Sequence, residues 1–387
     1  MHEFDAIRPF RDDEADAVIA RLCRDPDLRR AAATFFAPRL TKHFPGLARA
    51  LVGSFISWRT RGLHSVRDVQ RWLSRHMGHV IRETTDNLSV TGLDQLSRGV
   101  PYLFISNHRD IVMDSALLNF ALHEAGFETT RTAIGDNLFT LDCASDLMRL
   151  NKGFVVQRRV AGAKAMLKAL SLTSAYIRHS LEEGASVWIA HREGRAKDGY
   201  DRTDPAVLKM LALAWRGARG GFSDFVDHVR IVPVAVSYEI DPCDLRKARE
   251  RRIAAEAGSY QKAPGEDLRS MIEGIMGYKG RVHVHIGAPL SSSAADADAL
   301  ALELDRSIAR GLRLYPTHAN ALALAAETSA NAAHDTRSIP GERWLPVGNA
   351  RVMQTWSRRL ETCPQSDRPF LLSGYANTAI NVANNGL

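Results

Sequence analysis

The sequence is poor in cysteine, in aromatic residues and in long apolar runs, and these shortages exclude several classes of protein. Only four cysteines occur among 387 residues, and they lie far apart, which argues against a disulfide framework or a cysteine zinc site. A reducing cytoplasm is therefore the expected compartment. The first residues lack the pattern of a signal peptide, and no run of about 18 uncharged apolar residues occurs, so we predict no membrane-spanning segment.

What remains is the composition of a folded globular chain. Hydrophobic residues make up 45% and charged residues 25% of the sequence, which rules out disorder, collagen and a coiled coil for most of it. A chain of this length has room for about two to three domains.

The positive charge is concentrated in one stretch, residues 42–82. The whole chain has a net charge of +7, and this stretch carries eight basic side chains against the single acidic Asp68. Phe55, Trp58 and Trp72 recur among them near helical spacing. Such a basic amphipathic stretch suits an anionic lipid surface, or nucleic acid, although no nucleic-acid-binding motif accompanies it. The alternative is a helical hairpin with a buried apolar face and a solvated basic face.

The pattern of apolar residues changes near residue 88. Before it, helical periodicity predominates, with a first helix at 12–25. After it, short apolar runs alternate with helical ones, which predicts an α/β fold: a mixed sheet flanked by helices, preceded by an N-terminal helical region. Strands are predicted at 102–106, 130–134, 154–157, 186–190, 229–238 and 281–286.

Helix ends and a compositional shift give the domain organisation. A helix at 161–183 is closed by Gly184, and another at 294–314 is ended by Pro316. From residue 317 the sequence is rich in Ala, Ser and Asn without strong periodicity, and 328–343 is predicted as a linker of uncertain order. The resulting division is a helical region at 1–87, a central domain at 88–316 and a C-terminal extension at 317–387.

The loop after the first predicted strand holds the side chains best suited to catalysis. The strand at 102–106 runs into His108, and Asp110 and Asp114 follow closely. A histidine at a strand end, with carboxylates near it, can act as a general base whose tautomer is fixed by an acidic partner. A structural histidine that caps a helix is the alternative.

Two later loops carry cations and glycines. Gly153 and Arg158 flank the third predicted strand, and Gly194, Arg195 and Lys197 follow the fourth. Guanidinium groups suit phosphate oxygens and glycines allow close approach of a ligand, so the two loops predict a phosphate site beside the histidine. The alternative is a pair of solvated turns whose arginines pair with nearby aspartates, namely Asp198, Asp201 and Asp204.

In their order along the chain, these loops resemble those of the glycerolipid acyltransferases. The resemblance covers roughly residues 88–290. This superfamily includes the glycerol-3-phosphate and lysophosphatidate acyltransferases. The four blocks that carry the resemblance are Ser106-Asn107-His108-Arg109 with a following aspartate, Gly153-Phe154-Val155-Val156 leading to Arg158, Glu193-Gly194 with Arg195 and Lys197, and the run 231–239 with Pro233; Gly135-Asp136-Asn137-Leu138 falls between the first two.

The resemblance implies an O-acyltransferase of phospholipid synthesis. It implies transfer of a fatty acyl group from an acyl-CoA or acyl-ACP thioester to the hydroxyl of glycerol-3-phosphate or 1-acylglycerol-3-phosphate, with no metal and no further cofactor. His108 is then the base. Asp114 is the favoured partner and Asp110 the second candidate, since one residue more separates His108 from Asp114 than the family pattern has. The substrate-binding positions carried over are Asn107, Arg109, Asn137, Gly153, Arg158, Glu193, Gly194, Arg195, Lys197 and Pro233.

The expected partners are an acyl thioester donor, a glycerophosphate-type acceptor and an anionic membrane surface, and not nucleic acid. This predicts a cytoplasmic protein bound peripherally to the inner face of the cell membrane. A non-catalytic lipid- or acyl-carrier-binding protein on the same fold is the second hypothesis, and it is distinguished by whether acyl transfer occurs. His283 and His285, on one face of a strand, are interpreted as structural rather than as half of a zinc site.

Overall fold

The computed structural model describes residues 3–215, 222–291, 294–328, 339 and 341–385. The helices are α1 (Asp12–Arg24), α2 (Pro26–Phe36), α3 (Pro38–His43), α4 (Pro45–Arg59), α5 (Val66–Thr84), α6 (Met113–Glu124), α7 (Asp142–Leu150), α8 (Ala163–Glu182), α9 (Pro205–Leu211), α10 (Phe222–His228), α11 (Asp244–Ala257), α12 (Glu266–Met276), α13 (Ala297–Gly311), α14 (Pro316–Thr328), α15 (Ala350–Thr362) and α16 (Arg368–Asn385). The strands are β1 (Asn87–Thr91), β2 (Leu103–Ser106), β3 (Arg131–Gly135), β4 (Gly153–Val156), β5 (Val187–Ala190), β6 (Ile231–Tyr238) and β7 (Arg281–Ile286).

The chain divides into two units. Unit 1 comprises Met1–His76 and Thr130–Ile177, and unit 2 comprises Met77–Thr129 and Arg178–Leu387. The division of the sequence at residues 87 and 316 stays a prediction.

Unit 1 is mainly helical. A proline stands in the first turn of α2, α3 and α4, where its missing N–H leaves no helical hydrogen bond unmade. Asp25 caps α2, because its carboxylate accepts hydrogen bonds from the Asp27 and Leu28 amides at 2.9 and 2.8 Å. The strands β3 and β4 of this unit pair in parallel, with Thr132 opposite Gly153. The core contains Ala15, Val18, Ile19, Leu22, Val66, Val69, Cys143 and Leu150.

Unit 2 contains a mixed sheet with the strand order β1-β7-β6-β2-β5. β7 runs antiparallel to β6, whereas the pairs β1–β7, β6–β2 and β2–β5 are parallel. Every residue of β2, β5 and β6 is buried, as expected for strands covered on both faces. The predicted fold class, a mixed sheet flanked by helices after an N-terminal helical region, is therefore confirmed.

The structure adds one strand to those predicted and shortens one predicted helix by several residues. β1 was not predicted as a strand, because five residues with an exposed residue at each end give little alternation. The helix predicted at 294–314 spans Ala297–Gly311, and Pro316 begins the next helix instead of ending this one. Most of the predicted linker at 328–343 lies outside the described residues.

Helices α14, α15 and α16 occupy the C-terminal extension, where the sequence had no clear period. α16 is buried on several faces, with Leu371, Leu372, Ile380 and Asn381, which point in different directions around the helix, all nearly inaccessible to solvent. A helix enclosed on several sides has no polar stripe, so the amphipathic pattern that identifies surface helices is missing from its sequence.

Candidate active site

The loop between β2 and α6 places a histidine beside a buried carboxylate. Nδ1 of His108 lies 2.9 Å from Oδ2 of Asp114, and the His108 side chain keeps 15% of its surface exposed while that of Asp114 has none. Asp114 occupies the first turn of α6. The helix start therefore brings together two residues whose separation in sequence fits no regular helical face. With Nδ1–H donated to the carboxylate, Nε2 of the imidazole is the nitrogen able to accept a proton.

Asp114 is fixed by three further hydrogen bonds. Its Oδ2 accepts from the backbone amides of Arg109 and Asp110, at 2.7 and 2.9 Å. Its Oδ1 accepts from the hydroxyl of Tyr238 at 2.8 Å. Burial and the adjacent carboxylate of Asp114 hold the pKa of Tyr238 well above its usual value, so the phenol remains a donor. Both oxygens of the carboxylate are thus held in place.

Asp110, the second candidate partner of His108, has a different position. Its Oδ1 accepts from the amides of Val112 and Met113, both at 2.9 Å, at the start of α6. Its Oδ2 is buried with no hydrogen-bond partner among the described residues, and a Cβ atom on Gly274 of α12 would overlap this carboxyl group. Burial and the nearby Asp114 raise the pKa of Asp110. The carboxylate bonded to His108 is that of Asp114.

Asn107 and Arg109, predicted as substrate-binding residues, have protein partners for their side chains. The Asn107 amide pairs with the backbone of Val236 in β6, accepting at 2.8 Å and donating at 3.1 Å. Arg109 Nη2 donates to Asp201 at 2.7 Å and to the Gly199 carbonyl at 3.2 Å. Asp201 was considered as a partner for the arginines of the two later loops, and here it pairs with Arg109 of the histidine loop. In this structure both side chains fix the loops around His108.

The loop after β5, which carries Arg195, is bonded to the backbone of His108. The amide of Ala196 donates to the His108 carbonyl at 2.7 Å, so this loop and the histidine are joined by their backbones. Arg195 is only 9% exposed, and its Nη1 is buried with no hydrogen-bond partner in the described part of the chain. Gly194 has a φ of +72°, which glycine adopts without strain. Glu193 is exposed on the same turn.

Lys197, further along this loop, is held by an acidic side chain. Its Nζ pairs with Glu250 of α11. Burial lowers the pKa of Lys197. Its charge is therefore already matched by a carboxylate, unlike the buried nitrogen of Arg195.

The remaining predicted positions lie in β6 and in unit 1. Pro233 is buried in the sheet, opposite Ile105, and its carbonyl accepts from the Gly287 amide at 2.8 Å. In unit 1, Asp136 Oδ2 accepts from the amides of Arg158 and Arg159, each at 3.1 Å. A Cβ on Gly135 would meet the side chains of Asn137 and Arg158, and one on Gly153 would meet the Met148 carbonyl. The second block and the segment before it therefore form one local cluster.

Several described residues that contact the site had no predicted role there, among them Tyr238, Ala196 and Thr378. Tyr238 bonds Asp114, Ala196 bonds the His108 carbonyl, and the Thr378 hydroxyl accepts from Arg109 Nη2 at 3.2 Å. Tyr238 stood in the fourth block of the resemblance, which could have identified it. Nothing in the sequence marks Thr378, since it lies in α16, far along the chain from the loops that it contacts.

His283 and His285 are bonded to hydroxyl groups of β1. Ser89 Oγ lies 2.8 Å from His283 Nδ1, and Thr91 Oγ1 lies 2.9 Å from His285 Nδ1. Burial lowers the pKa of His283 to about 4, so it stays neutral at pH 7. Within the described residues, no group of three His, Cys, Asp or Glu side chains converges as a metal site would require.

A family model covers the segment that contains His108 and the loop after β5. Residues 87–237 match the model of the family described as Acyltransferase. Among solved structures, the 1-acyl-sn-glycerophosphate (LPA) acyltransferase PlsC from Thermotoga maritima is similar to this chain at 14% sequence identity and a TM-score of 0.38, covering 74% of this chain and 95% of that one. No curated protein matches the chain. Among the described helices, none has the length and apolar content needed to cross a membrane.

Proposed function

Because residues 87–237 match the family model described as Acyltransferase, we propose that this chain transfers a fatty acyl group to a glycerol-phosphate acceptor. The donor is an acyl thioester of coenzyme A or acyl carrier protein. The acceptor is the hydroxyl of glycerol-3-phosphate or of 1-acylglycerol-3-phosphate, the two acceptors that the order of the four blocks implies. The hydrogen-bonded pair of His108 and Asp114 is the observation that carries the proposal.

The proposed reaction is a single acyl transfer without a covalent acyl-enzyme. Nε2 of His108 removes the proton of the acceptor hydroxyl as its oxygen attacks the thioester carbonyl carbon. The C–O bond forms, the C–S bond breaks, and the proton held by His108 passes to the departing thiolate. Asp114 orients the imidazole and stabilises its cationic form during the transfer. The products are an ester and a free thiol, so atoms and charges balance.

The acceptor phosphate is assigned to the loop after β5. Arg195 supports this assignment because its guanidinium is buried and has a nitrogen with no hydrogen-bond partner among the described residues. It directly precedes Ala196, whose amide bonds to the His108 carbonyl. A guanidinium in that state is suited to a bidentate contact with phosphate oxygens. Lys197 is a weaker candidate, because Glu250 already pairs with it.

A membrane-binding surface is proposed for unit 1, formed by one face of α4 with the end of α2. Six large apolar side chains there are each more than half exposed. A neighbouring face of α4 packs through Ala48 and Val52, which form a cluster with Ala33 of α2. Lys42, Arg49, Arg59 and Arg61 lie in α4 or next to it in sequence, so the exposed surface suits an anionic lipid headgroup layer. The exposed apolar residues are Phe36, Phe44, Leu47, Leu51, Phe55 and Trp58.

The basic stretch at 42–82 thus contains two different helices. The apolar face of α5 is largely packed, because Leu73 contacts the core of unit 1 and Ile81 that of unit 2. Trp72, predicted among the lipid-facing residues, is partly buried, and its ring centroid lies 4.1 Å from that of His76. We therefore interpret α5 as a helix with a packed apolar face and a solvated basic face. The proposed lipid-binding surface is confined to α4 and the end of α2.

The test of the function is an assay with purified protein and labelled acyl-CoA or acyl-ACP. Glycerol-3-phosphate, 1-acylglycerol-3-phosphate and an amino-lipid are offered in parallel, and the product is identified by mass spectrometry. We expect a labelled glycerophosphate ester. Binding of lipid or carrier protein without any transfer would support the non-catalytic alternative, and an amide product would reject the proposed acceptor class.

A further inference from the structure

The C-terminal helix α16 contacts the loop after β5 at adjacent residues. Nδ2 of Asn377 donates to the Asp198 carbonyl at 2.8 Å. The hydroxyl of Thr378 lies 3.5 Å from the carbonyl of Gly199. Gly199 has a φ of +83°, and a Cβ there would overlap the carbonyl of Gly374 in α16. Loop and helix therefore approach as closely as glycine allows.

The same helix contacts the loop that carries His108. Nη2 of Arg109 donates to Thr378 Oγ1 and to the Gly199 carbonyl, each at 3.2 Å. Arg109 directly follows His108, and the amide of Ala196 is bonded to the His108 carbonyl. Thr378 therefore lies where the two loops of the candidate active site meet.

α16 is well placed to hold these loops because it is itself fixed by the core of unit 2. Leu371 and Leu372 pack in a cluster with Trp356, and Ala379 and Val382 pack in another with Ile308. The hydroxyl of Tyr375 donates to Asp244 at 2.7 Å. The helix cannot shift without disturbing several buried contacts.

We propose that Asn377 and Thr378 are positioning residues for acyl transfer. They fix the 193–201 loop and the Arg109 side chain relative to His108, and through that loop they set the place of Arg195. This inference rests on the proposed function, in which Arg195 holds the acceptor phosphate. The family model ends at residue 237, so these two residues lie outside the segment that carries the family match.

The kinetic test compares Thr378→Val and Asn377→Leu with wild type. Each variant keeps the approximate side-chain volume and removes the hydrogen bond, so we expect the acceptor KM to rise about fivefold while the thioester KM stays the same. Thr378→Ser keeps the hydroxyl, so its acceptor KM should stay close to that of wild type. Asn385→Ala is the matched control, because the Asn385 amide bonds to Asn381 of its own helix and not to either loop within the described chain. An equal rise in both constants, together with a lower melting temperature, would show a merely structural role and overturn the inference.

A second measurement decides the inference without using activity. Amide hydrogen exchange of the full chain, read by mass spectrometry, should be faster in peptides covering 193–201 and 108–110 in Thr378→Val and Asn377→Leu, and unchanged in β1 and α13. Unchanged exchange in both loops would overturn the positioning role. If the wild-type chain transfers no acyl group, the proposed function fails, and the exchange comparison still tells whether α16 holds the loops.

Discussion

The hydroxyl of Tyr238 donates a 2.8 Å hydrogen bond to Oδ1 of Asp114, from a position 124 residues further along the chain. The other carboxylate oxygen, Oδ2, is hydrogen-bonded to Nδ1 of His108. Tyr238 is the last residue of β6, and Asp114 lies in the first turn of α6. The sheet and the helix together prevent rotation of the carboxylate, so the imidazole has a fixed partner.

His108→Ala should abolish acyl transfer. A positioned general base contributes about 100-fold to 10,000-fold to the rate, and the variant has no imidazole at this position to take the proton. His108 keeps some exposure, so the circular dichroism spectrum and the melting temperature should change little. The measurement is initial rate with a saturating acceptor, with folding checked on the same sample. Activity close to that of wild type would reject His108 as the base.

Asp114→Asn should lower kcat on the order of 100-fold or more, and Asp110→Asn less than about tenfold. The first change disturbs the group that orients the imidazole. The second keeps an oxygen able to accept from Val112 and Met113 at the start of α6, and burial already favours a neutral group at this position. The measurement is kcat of both variants under identical conditions. The opposite order would transfer the orienting role to Asp110.

Arg195→Ala should raise the acceptor KM much more than the thioester KM, on the order of tenfold or more, because a charge-assisted contact to phosphate is lost. Arg202→Ala is the matched control. Arg202 belongs to the same loop but is exposed, and its guanidinium stacks on the Tyr200 ring at 4.7 Å. The check is a pair of saturation curves, one for each substrate. A rise confined to the thioester KM would assign Arg195 to the donor.

Leu51→Gln with Phe55→Gln should weaken binding to anionic vesicles about tenfold or more, because two apolar side chains that enter the lipid interface are lost. Leu302→Gln, on an equally exposed leucine of α13, is the control. Binding is measured by vesicle flotation. It should rise with phosphatidylglycerol content and fall with added salt, because salt screens Arg59 and Arg61. Binding that ignores lipid charge and responds equally to both variants would remove the membrane proposal.

His191 should make the folded state less stable at pH 5 than at pH 7. Burial lowers its pKa from 6.5 to about 4, so only the unfolded chain takes up this proton in that interval. The stability contributed by the neutral imidazole is present above pH 6.5 and is lost as the pH falls towards 4. Between pH 7 and 5, wild type should lose about 2 kcal/mol more than His191→Leu in urea unfolding. The exposed His43→Leu should behave as wild type does; equal losses in all three would show that His191 is protonated when folded.

Some of the side chains of the candidate site could be located from the sequence because they stand in short local segments. His108 and Arg195 each follow a short apolar strand, and the carboxyl ends of neighbouring parallel strands such as β2 and β5 lie at one edge of a sheet. The alternation of strands and helices likewise predicted the fold class. In both cases, residues near one another in sequence carry the information.

Contacts between distant residues were decided only by the tertiary structure. The choice between Asp114 and Asp110 depends on where α6 begins and on Tyr238 at the end of β6, and neither follows from spacing near His108. The difference between α4 and α5 depends on which apolar faces find a core to pack against. α16 was missed because burial on several sides removes the periodic pattern of a surface helix, although its Thr378 reaches the site. Local sequence determined which groups were available, and packing between distant segments determined which of them meet.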